Sequence, residues 1–400
     1  MVQLSTFTSL LIPLSMASTA TAAAMFNPRQ QSANSTTAST RKLIVGAPGQ
    51  ILAYDYDGTT FANTANSSSA GTAPSWMLFK EPNLLYAVDE NSNTTRLYEY
   101  SPLNNSLSSE PVSVGEGSAG VVSLAFNKDQ TILIGASYSD GQVDVWDISS
   151  PDGSLKLVKQ IPLEGTLGPA PQQTVHRAHQ AVLDPTGQFF AVADLGGDAI
   201  HIINASSWEI SNVVYVDSGA GPRHGAYIGG NSSSPATHYA VACEIKNLII
   251  LWEVDMTGGN LNLTNPQTLS TFGDAFQPQN ATTAAAGELI AASNSKDIYV
   301  TNRLTGNGNF TDNISHFVVE DGKLSFADQI STDGINPRQL SFSLDESIVF
   351  GVNQGGSTGL FAFNRCSKQG TLSLTASLSN TAEAVTALTG PQFVQEIPVS

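Results

Sequence analysis

Residues 189–206, FFAVADLGGDAIHIINAS, contain two apolar segments separated by a short turn that is rich in glycine and aspartate. Phenylalanine, valine and isoleucine favour β-strands, and a Gly-Gly pair between acidic residues is typical of a tight turn. The stretch therefore predicts a β-hairpin. The same order of strand, small or polar residue, turn and second strand recurs in six further segments: LIVGAPGQILAYDYD (43–57), LLYAVDENSNTTRLYEY (84–100), ILIGASYSDGQVDVWDI (132–148), HYAVACEIKNLIILWEV (238–254), DIYVTNRLTGNGNFTDNISHFVV (297–319) and IVFGVNQGGSTGLFAFN (348–364).

The hairpins are spaced evenly enough to be repeats of one structural unit. The residues at the ends of their first strands lie 42 to 58 positions apart, and they are Ala47, Asp89, Ser137, Asp194, Glu244, Asn302 and Asn353. Strand-like segments also precede and follow the hairpins, as in HQAVLDPTG (179–187) and GKLSFADQI (322–330). Units of about four strands, seven in all, predict an all-β, seven-bladed β-propeller of four-stranded antiparallel blades.

The first unit has no strand-like segment before its hairpin. The C-terminal stretch GPQFVQEIPVS (390–400) looks like that strand, so we expect it to close the ring by joining the first blade. A blade buries its faces only against neighbouring blades, and a ring that lacks one blade exposes two apolar surfaces. We therefore expect residues 43–400 to form one propeller domain.

The N-terminal residues have the composition of a targeting segment. An apolar stretch from Leu10 to Met16 is followed by small residues that suit signal-peptidase cleavage, so we interpret residues 1–24 as a signal peptide and residues 25–42 as a disordered lead-in. Asn-x-Ser/Thr sequons agree with a secreted glycoprotein. The ten sequons are at Asn34, Asn66, Asn93, Asn104, Asn204, Asn231, Asn262, Asn280, Asn309 and Asn313.

Charge and cysteine content narrow the possible partners. The formal net charge of −17 argues against nucleic acid and anionic membrane surfaces, because both require cationic patches. It remains compatible with a small anionic substrate in a locally positive pocket. Cys243 and Cys366 are too few for a disulfide scaffold, and we expect both to be free thiols. The oligomeric state is left open.

Several polar residues occupy equivalent positions in different repeats. In a propeller blade the first strand precedes the hairpin and lies beside the central channel. The second strand of the blade is the first strand of the hairpin, and its end shares one face of the ring with the start of the blade's first strand. His179, Arg223 and Arg338 are at first-strand starts, whereas Glu244, Asn302 and Asn353 are at second-strand ends. We therefore expect side chains that are far apart in sequence to line one channel mouth.

The arginines are the most informative of these residues. The chain has eight, and four fall at channel-side positions: Arg177, Arg223, Arg303 and Arg338. A guanidinium stays charged at working pH and its fork fits carboxylate or phosphate, so several together predict an anion site. Glu244 in such a site is a candidate general acid/base. His224, Asn302 and Asn353, with Arg338, are candidate substrate-binding residues.

Other polar residues in these segments have simpler explanations. Asp194 and Asp198 are expected to cap turns. The pair His176 and His179 lacks a third placed ligand, so we predict no metal site and no cofactor. Signatures of serine hydrolases, P-loops and zinc proteases are absent from the sequence.

Taken together, the motifs resemble the lactonase-type seven-bladed β-propellers, which include propeller 6-phosphogluconolactonases and 3-carboxy-cis,cis-muconate lactonizing enzymes. The similar segments are HQAVLDPTGQFFAVADLGGD (179–198), GPRHGAY (221–227), the Glu244 strand, YVTNR (299–303) and NPRQLSF (336–342). The resemblance implies a metal-independent site in the channel mouth, with His179, Arg223, Glu244 and Arg303 as its functional residues.

The leading hypothesis is a secreted enzyme that opens or closes a lactone ring on an anionic small molecule, either a lactone or an unsaturated acid. Arg223 and Arg303 would hold the anion and stabilise oxyanion charge. Glu244, assisted by His179, would move the proton in hydrolysis or in lactonization. Two alternatives remain: a non-catalytic secreted propeller that binds a partner or wall polymer through its rim loops, and a metal-dependent sugar lactonase.

Overall fold

Seven antiparallel β-sheets contain the strands of the computed structural model, which describes residues 40–273, 277–307 and 311–399. In chain order the strands are β1 (Arg41–Ala47), β2 (Gln50–Tyr56), β3 (Phe61–Ser68), β4 (Met77–Lys80), β5 (Leu84–Val88), β6 (Thr94–Ser101), β7 (Ser106–Leu107), β8 (Ser113–Glu116), β9 (Val121–Phe126), β10 (Ile132–Ser137), β11 (Gln142–Asp147), β12 (Lys156–Pro162), β13 (Ala178–Leu183), β14 (Phe189–Asp194), β15 (Ala199–Asn204), β16 (Ile210–Tyr215), β17 (Pro222–Ile228), β18 (His238–Cys243), β19 (Leu248–Asp255), β20 (Asn262–Ser270), β21 (Ala285–Ala291), β22 (Asp297–Arg303), β23 (Asn313–Glu320), β24 (Lys323–Ser331), β25 (Ile335–Phe342), β26 (Ile348–Gly355), β27 (Thr358–Arg365), β28 (Leu372–Ser379) and β29 (Phe393–Ile397). Among the described residues, helix is limited to the α-helix α1 (Ala384–Ala387) and a 3-10 turn at Thr257–Gly259.

Each sheet is one propeller blade. Blade 1 has the strand order β29-β1-β2-β3, and blade 2 contains β4 to β8, with both β7 and β8 paired to β6. Blades 3 to 7 each consist of four consecutive strands, beginning at β9, β13, β17, β21 and β25. The seven-bladed prediction is confirmed, and each predicted hairpin forms the middle two strands of its blade.

The C-terminal strand closes the ring, as predicted. Strand β29 pairs antiparallel with β1, and the register places Lys42 opposite Ile397. Arg41 adds an ion pair to Glu396 at 3.1 Å and a second one to Asp345 of blade 7 at 2.7 Å. These contacts draw residues 41 and 42 into β1, so the predicted lead-in is shorter at its C-terminal end. The predicted signal peptide and residues 25–39 lie outside the described residues.

Apolar side chains fill the spaces between adjacent blades. Phe189 of blade 4 and Tyr239 and Trp252 of blade 5 belong to one buried cluster, which also contains Cys243. Cys243 and Cys366 are both free thiols, as expected. No helix among the described residues has the length and hydropathy needed to cross a bilayer.

The first strands of blades 3 to 7 contact one another around the channel, and each has a shift in register near its start. At each shift the first strand holds a residue without a direct partner on the second strand. A β-bulge of this kind re-aims a side chain without changing the rest of the ladder. The bulged residues are Val122, His179, Arg223, Glu288 (with Gly287) and Arg338.

Candidate functional site

Two arginines converge on one carboxylate at the channel mouth. Nη2 of Arg303 donates a hydrogen bond to Oε2 of Glu244 at 2.7 Å. Nε of Arg223 lies 2.8 Å from the same oxygen, although its N–H does not point along a good hydrogen bond. The Arg303 side chain crosses β21 at Gly287, where a Cβ would lie only 3.0 Å from Cδ of Arg303. Three of the four predicted catalytic residues are thus in direct contact, and the fourth, His179, lines a cavity together with Arg223.

The charges of this group follow from its packing. Burial opposes ionisation of Glu244, but the guanidiniums of Arg303 and Arg223 outweigh it and hold the pKa of the carboxyl below its usual value. Burial and the neighbouring Arg303 lower the pKa of Arg223, which still stays protonated at neutral pH. Two cations and one anion therefore leave the group with a net positive charge. Glu244 keeps 24% of its side chain exposed, so the group is open to the channel mouth.

Two histidines lie beside the arginines. The His179 and His224 rings meet edge to face with their centroids 4.9 Å apart, and the Tyr138 ring also meets His179 edge to face, at 5.7 Å. Burial, together with the charge of Arg223, lowers the pKa of each imidazole well below its usual value. Both rings are therefore neutral at physiological pH and can accept a proton.

A second buried acid, Glu288 of β21, lies behind His224. Its Oε1 is 2.6 Å from Nδ1 of His224 and also accepts a hydrogen bond from the Leu289 N–H. Its Oε2 is buried and has no hydrogen-bond partner. Burial raises the pKa of Glu288 to about 8, although Arg223 and Arg303 act in the opposite direction. The site thus contains two acids in opposite electrostatic states.

A small cavity lies beside Arg223, and its walls include both imidazoles. Its lining residues are Trp76, Val122, His179, Arg223, His224, Arg338, Gln339 and Gln392. Several of the buried polar atoms on these residues make no hydrogen bond within the protein: Nη1 of Arg223, Nδ1 of His179 and Oε1 of Gln392. Buried polar atoms are normally paired, so this concentration favours a site that binds a polar ligand.

Arg338 belongs to the same cavity through a different partner. Its Nη2 lies 2.5 Å from Oε2 of Glu90, which follows strand β5 of blade 2. Glu90 was not predicted, although it is next to the strand-end residue Asp89, as Glu244 is next to the end of β18. Arg177, the fourth predicted channel arginine, lies at the edge, where its guanidinium covers the Tyr138 ring at 4.4 Å.

Two predicted substrate-binding residues serve the fold instead. Nδ2 of Asn302 donates to Thr271 O, to Asn313 Oδ1 and to Ser315 Oγ. Nδ2 of Asn353 donates to Thr332 O, and neither asparagine lines the cavity. Both lie at second-strand ends, as predicted, but their amides turn into the blades and hold neighbouring loops.

A cluster of His176, Asp194 and His201 in blade 4 has the residue types of a metal site. Nδ1 of His176 lies 2.6 Å from Oδ2 of Asp194, and Nε2 of His201 lies 3.2 Å from the same oxygen. Ligands of one zinc ion are normally about 3 Å or more apart. A metal on Nε2 of His201 would also move the ring proton to Nδ1, which is buried without an acceptor. The cluster fits a hydrogen-bonded clamp better than a metal centre.

Asp194 and Asp198 cap turns, as predicted. Oδ1 of Asp194 accepts the backbone N–H groups of Arg177, Gly196 and Gly197. Asp198 accepts those of Gly219 and Gly221.

Glu288 was missed by the sequence analysis, although a signal exists. It is the acidic residue in the otherwise apolar first strand AAGELIA (285–291), where an ionisable group has no structural reason to be buried. Trp76, Gln339 and Gln392, which line the cavity, carry no comparable signal, since uncharged side chains are common at such positions.

Comparisons with known proteins agree with the fold. A solved periplasmic gluconolactonase from Pseudomonas aeruginosa superposes with a TM-score of 0.74 over 90% of this chain and 100% of its own, at 21% identity. A structure described as a putative 6-phosphogluconolactonase from Bacteroides fragilis also has a TM-score of 0.74, over 91% of this chain and 99% of its own, at 20% identity. At these identities the likeness shows the fold alone.

Sequence comparison identifies the family. A probable 6-phosphogluconolactonase of Arthroderma benhamiae is 32% identical over 63% of this chain and 63% of its own length. The 6-phosphogluconolactonase of Bacillus subtilis is 27% identical over 72% of this chain and 75% of its own length. The chain thus spans less than two thirds of the fungal relative. The family model described as lactonase, 7-bladed beta-propeller, matches residues 35–388, and the chain therefore belongs to the lactonase family of seven-bladed β-propellers.

Proposed function

We propose that this protein is a lactonase that hydrolyses the ring ester of an anionic lactone at the channel mouth. The observation that carries the proposal is the net positive group of Arg223, Arg303 and Glu244 beside neutral imidazoles. Relatives named 6-phosphogluconolactonase favour a sugar-acid lactone that bears a phosphate or carboxylate. The site residues supply charge and proton transfer without a metal or cofactor.

The arginines hold the substrate and stabilise the transition state. The anionic group of the lactone binds in the positive field of Arg303 and Arg338, whose guanidiniums fit phosphate and carboxylate oxygens. Nη1 of Arg223, buried and unpartnered, faces the developing oxyanion as water attacks the ring carbonyl. Because Arg223 is already fixed by packing, it stabilises that charge with little reorganisation.

The proton acceptor is an imidazole in this mechanism. Glu244 is ionised, but two guanidiniums reduce its basicity, so its main role is to position Arg223 and Arg303. This differs from the expectation that Glu244 itself moves the proton. His179 and His224 are neutral and line the cavity, so each ring has a nitrogen lone pair that can accept a proton.

Substituting Arg223 tests the proposal directly. Arg223→Gln is expected to lower kcat/KM about 1000-fold, because it removes an oxyanion donor from a water-poor site. The measurement follows lactone and open acid by NMR over a panel of phosphorylated, carboxylated and neutral lactones. Unsaturated diacids in the same panel test the lactonizing direction.

Arg96→Gln is the matched control. Arg96 pairs with a carboxylate of Asp89 at 3.0 Å in blade 2 and is not among the cavity residues, so kcat/KM should stay unchanged. Equal rates for wild type and Arg223→Gln would refute the role of the arginine. A protein that opens no lactone in the panel, but binds a partner through its rim loops, would support the non-catalytic alternative.

We also propose that the protein is secreted and glycosylated. Five sequon asparagines are exposed on the propeller surface: Asn66, Asn93, Asn104, Asn231 and Asn280. Asn313, in contrast, is buried and its Oδ1 accepts a bond from Asn302, so it has no room for a glycan. Asn34 and Asn309 lie outside the described residues.

Peptide mapping of protein from a eukaryotic host checks this proposal. Treatment with peptide N-glycosidase should convert several of the exposed asparagines to aspartate and leave Asn313 unchanged. The mature N-terminus should fall after residue 22 or 24. An N-terminus at Met1 without glycans would contradict secretion.

A further inference from the structure

Glu288 has an unusual environment for a buried acid of this propeller. It is 1% exposed, and its Oε2 has no hydrogen-bond partner. Its Oε1 is hydrogen-bonded to one side chain, that of His224. The carboxyl accepts the backbone N–H of Leu289, but that bond leaves its Oε2 desolvated without a partner, a cost that an apolar side chain would avoid. Its contact with an imidazole in the cavity wall suggests a chemical role.

The geometry of His224 defines what that role is. Because Nδ1 of His224 faces Glu288, Nε2 is the nitrogen that remains for the cavity. A carboxylate on one imidazole nitrogen fixes the tautomer and makes the other nitrogen a stronger base. His179 has no such partner, because its Nδ1 is buried without a hydrogen bond. The two neutral imidazoles are therefore not equivalent.

On the basis of the lactonase function proposed above, we propose that Glu288 and His224 form a carboxylate–imidazole pair in which Nε2 of His224 accepts the proton of the attacking water. Glu288 is a positioning residue, since it acts through His224, and His224 is the catalytic residue. His179 packs against the His224 ring and keeps it in place.

The proton balance is closed within the pair. Nε2 takes one proton from water while the water oxygen bonds to the lactone carbonyl carbon and the carbonyl electron pair moves onto its oxygen. When the ring C–O bond breaks, its electron pair stays on the ring oxygen, and Nε2 returns the proton to that oxygen. The product is the open hydroxy acid, and the pair ends in its starting state.

The pair changes its proton content near neutral pH. Below about pH 8 Glu288 holds a proton, and above it the carboxylate accepts the Nδ1–H of a neutral His224. The charged groups that act on the pair are Arg223, Arg303 and Arg338, which all favour loss of that proton. The base-competent form is therefore the one that dominates above about pH 8, and hydrolysis should rise with pH up to a plateau there.

The first experiment needs no substrate. In full-length protein labelled with ¹⁵N-histidine, the His224 signals should show a step near pH 8 and a neutral tautomer with hydrogen on Nδ1 above it. Glu288→Gln should abolish the step, because an amide does not titrate. A His224 ring that carries its hydrogen on Nε2 throughout pH 6 to 9 would overturn the proposal.

The second experiment measures catalysis. Glu288→Gln should lower kcat about 100-fold, with KM changed by less than about threefold, and the rise of kcat with pH should disappear. His316→Gln is the matched control, because Nε2 of His316 and Oδ1 of Asp297 form a similar buried pair at 3.0 Å away from the cavity. That variant should keep the wild-type kcat and pH profile.

The outcomes separate the two proposals. A wild type that opens lactones while Glu288→Gln retains kcat and the pH profile contradicts the pair and leaves the lactonase function standing. A wild type that opens no lactone contradicts the lactonase function, and with it the role of the pair. The thermal unfolding midpoint of Glu288→Gln, measured beside that of wild type, shows whether a loss of kcat comes from misfolding, and the ¹⁵N-histidine titration of wild type tests the pair without any variant.

Discussion

Asp194 and Glu288 are both buried acids beside histidines, but their environments are opposite. Asp194 receives hydrogen bonds from two imidazoles and from three backbone N–H groups. Glu288 receives one from a backbone N–H and one from an imidazole, and one of its oxygens has no partner. Burial opposes ionisation of both, yet the hydrogen bonds hold the pKa of Asp194 below its usual value, whereas the pKa of Glu288 is raised.

The difference distinguishes a structural acid from a reactive one. A carboxylate with all its oxygens satisfied is stable in one charge state and holds the chain around it. A carboxyl with an unpaired oxygen is poised between two charge states, which is what proton transfer requires. The same residue types, an acid with histidine, thus have a structural role in blade 4 and an arrangement suited to proton transfer between blades 5 and 6.

Removing the structural acid should have the largest effect on stability. Asp194→Ala leaves two imidazoles and three backbone N–H groups without their acceptor, so we expect a loss of about 3 kcal/mol in the free energy of unfolding. The measurement is the urea midpoint. Asp147→Ala serves as the control, because that acid caps a turn in contact with solvent, and its midpoint should move little.

The lactonase activity of the Asp194 variant completes the comparison between Asp194 and Glu288. Folded Asp194→Ala should hydrolyse lactones within about threefold of wild type, since Asp194 does not line the cavity. A loss of activity as large as that of Glu288→Gln would erase the proposed distinction between the two acids.

An effect of opposite sign is expected at Glu288. Its pKa is about 8 in the folded protein against an ordinary value of 4.5 when unfolded. A raised folded pKa means that the contribution to stability is complete below pH 4.5 and is lost as pH rises through 8. Glu288→Gln avoids this loss, so its advantage over wild type in unfolding free energy should be larger at pH 8 than at pH 5. Thermal unfolding at the two pH values measures it, and an advantage that shrinks with pH would contradict the assignment.

The smallest effect concerns metals. Dialysis against a chelator should leave kcat/KM unchanged, because guanidiniums and imidazoles perform each step of the proposed reaction. Titration calorimetry with zinc should likewise give the same result for wild type and His176→Ala. Loss of activity with the chelator, restored by a divalent cation, would favour the metal-dependent alternative.

The sequence was most informative about the fold where a pattern repeats. Seven hairpins and one orphan C-terminal strand predicted the ring and its closure at β1, because a blade is stable only with both neighbours. The same alignment placed Arg223, Glu244 and Arg303 at one channel mouth, as the structure has them. Their roles in catalysis stay a prediction until they are measured.

The site was less predictable where the orientation of a side chain determines whether it faces the cavity or the blade. Asn302 and Asn353 occupy the predicted strand ends, but hydrogen-bonding partners outside their repeats, such as Thr271 and Thr332, turn their amides into the blades. Glu288 was missed because its partner His224 is 64 residues away in the chain. Register shifts also leave no trace in hydrophobic periodicity, although they set which side chain faces the channel.

Those register shifts have a consequence for how such rings acquire new specificities. A residue at a bulge has no partner in the ladder, so exchanging it disturbs neither the strand pairing nor the apolar layers between blades. Val122 and Arg338, which occupy such positions on the cavity wall, are therefore natural places to diversify when a library is built for a different lactone. In blades 3, 4, 5 and 7 the first strand therefore has one position, at its bulge, where a side chain reaches the cavity without being paired in the ladder.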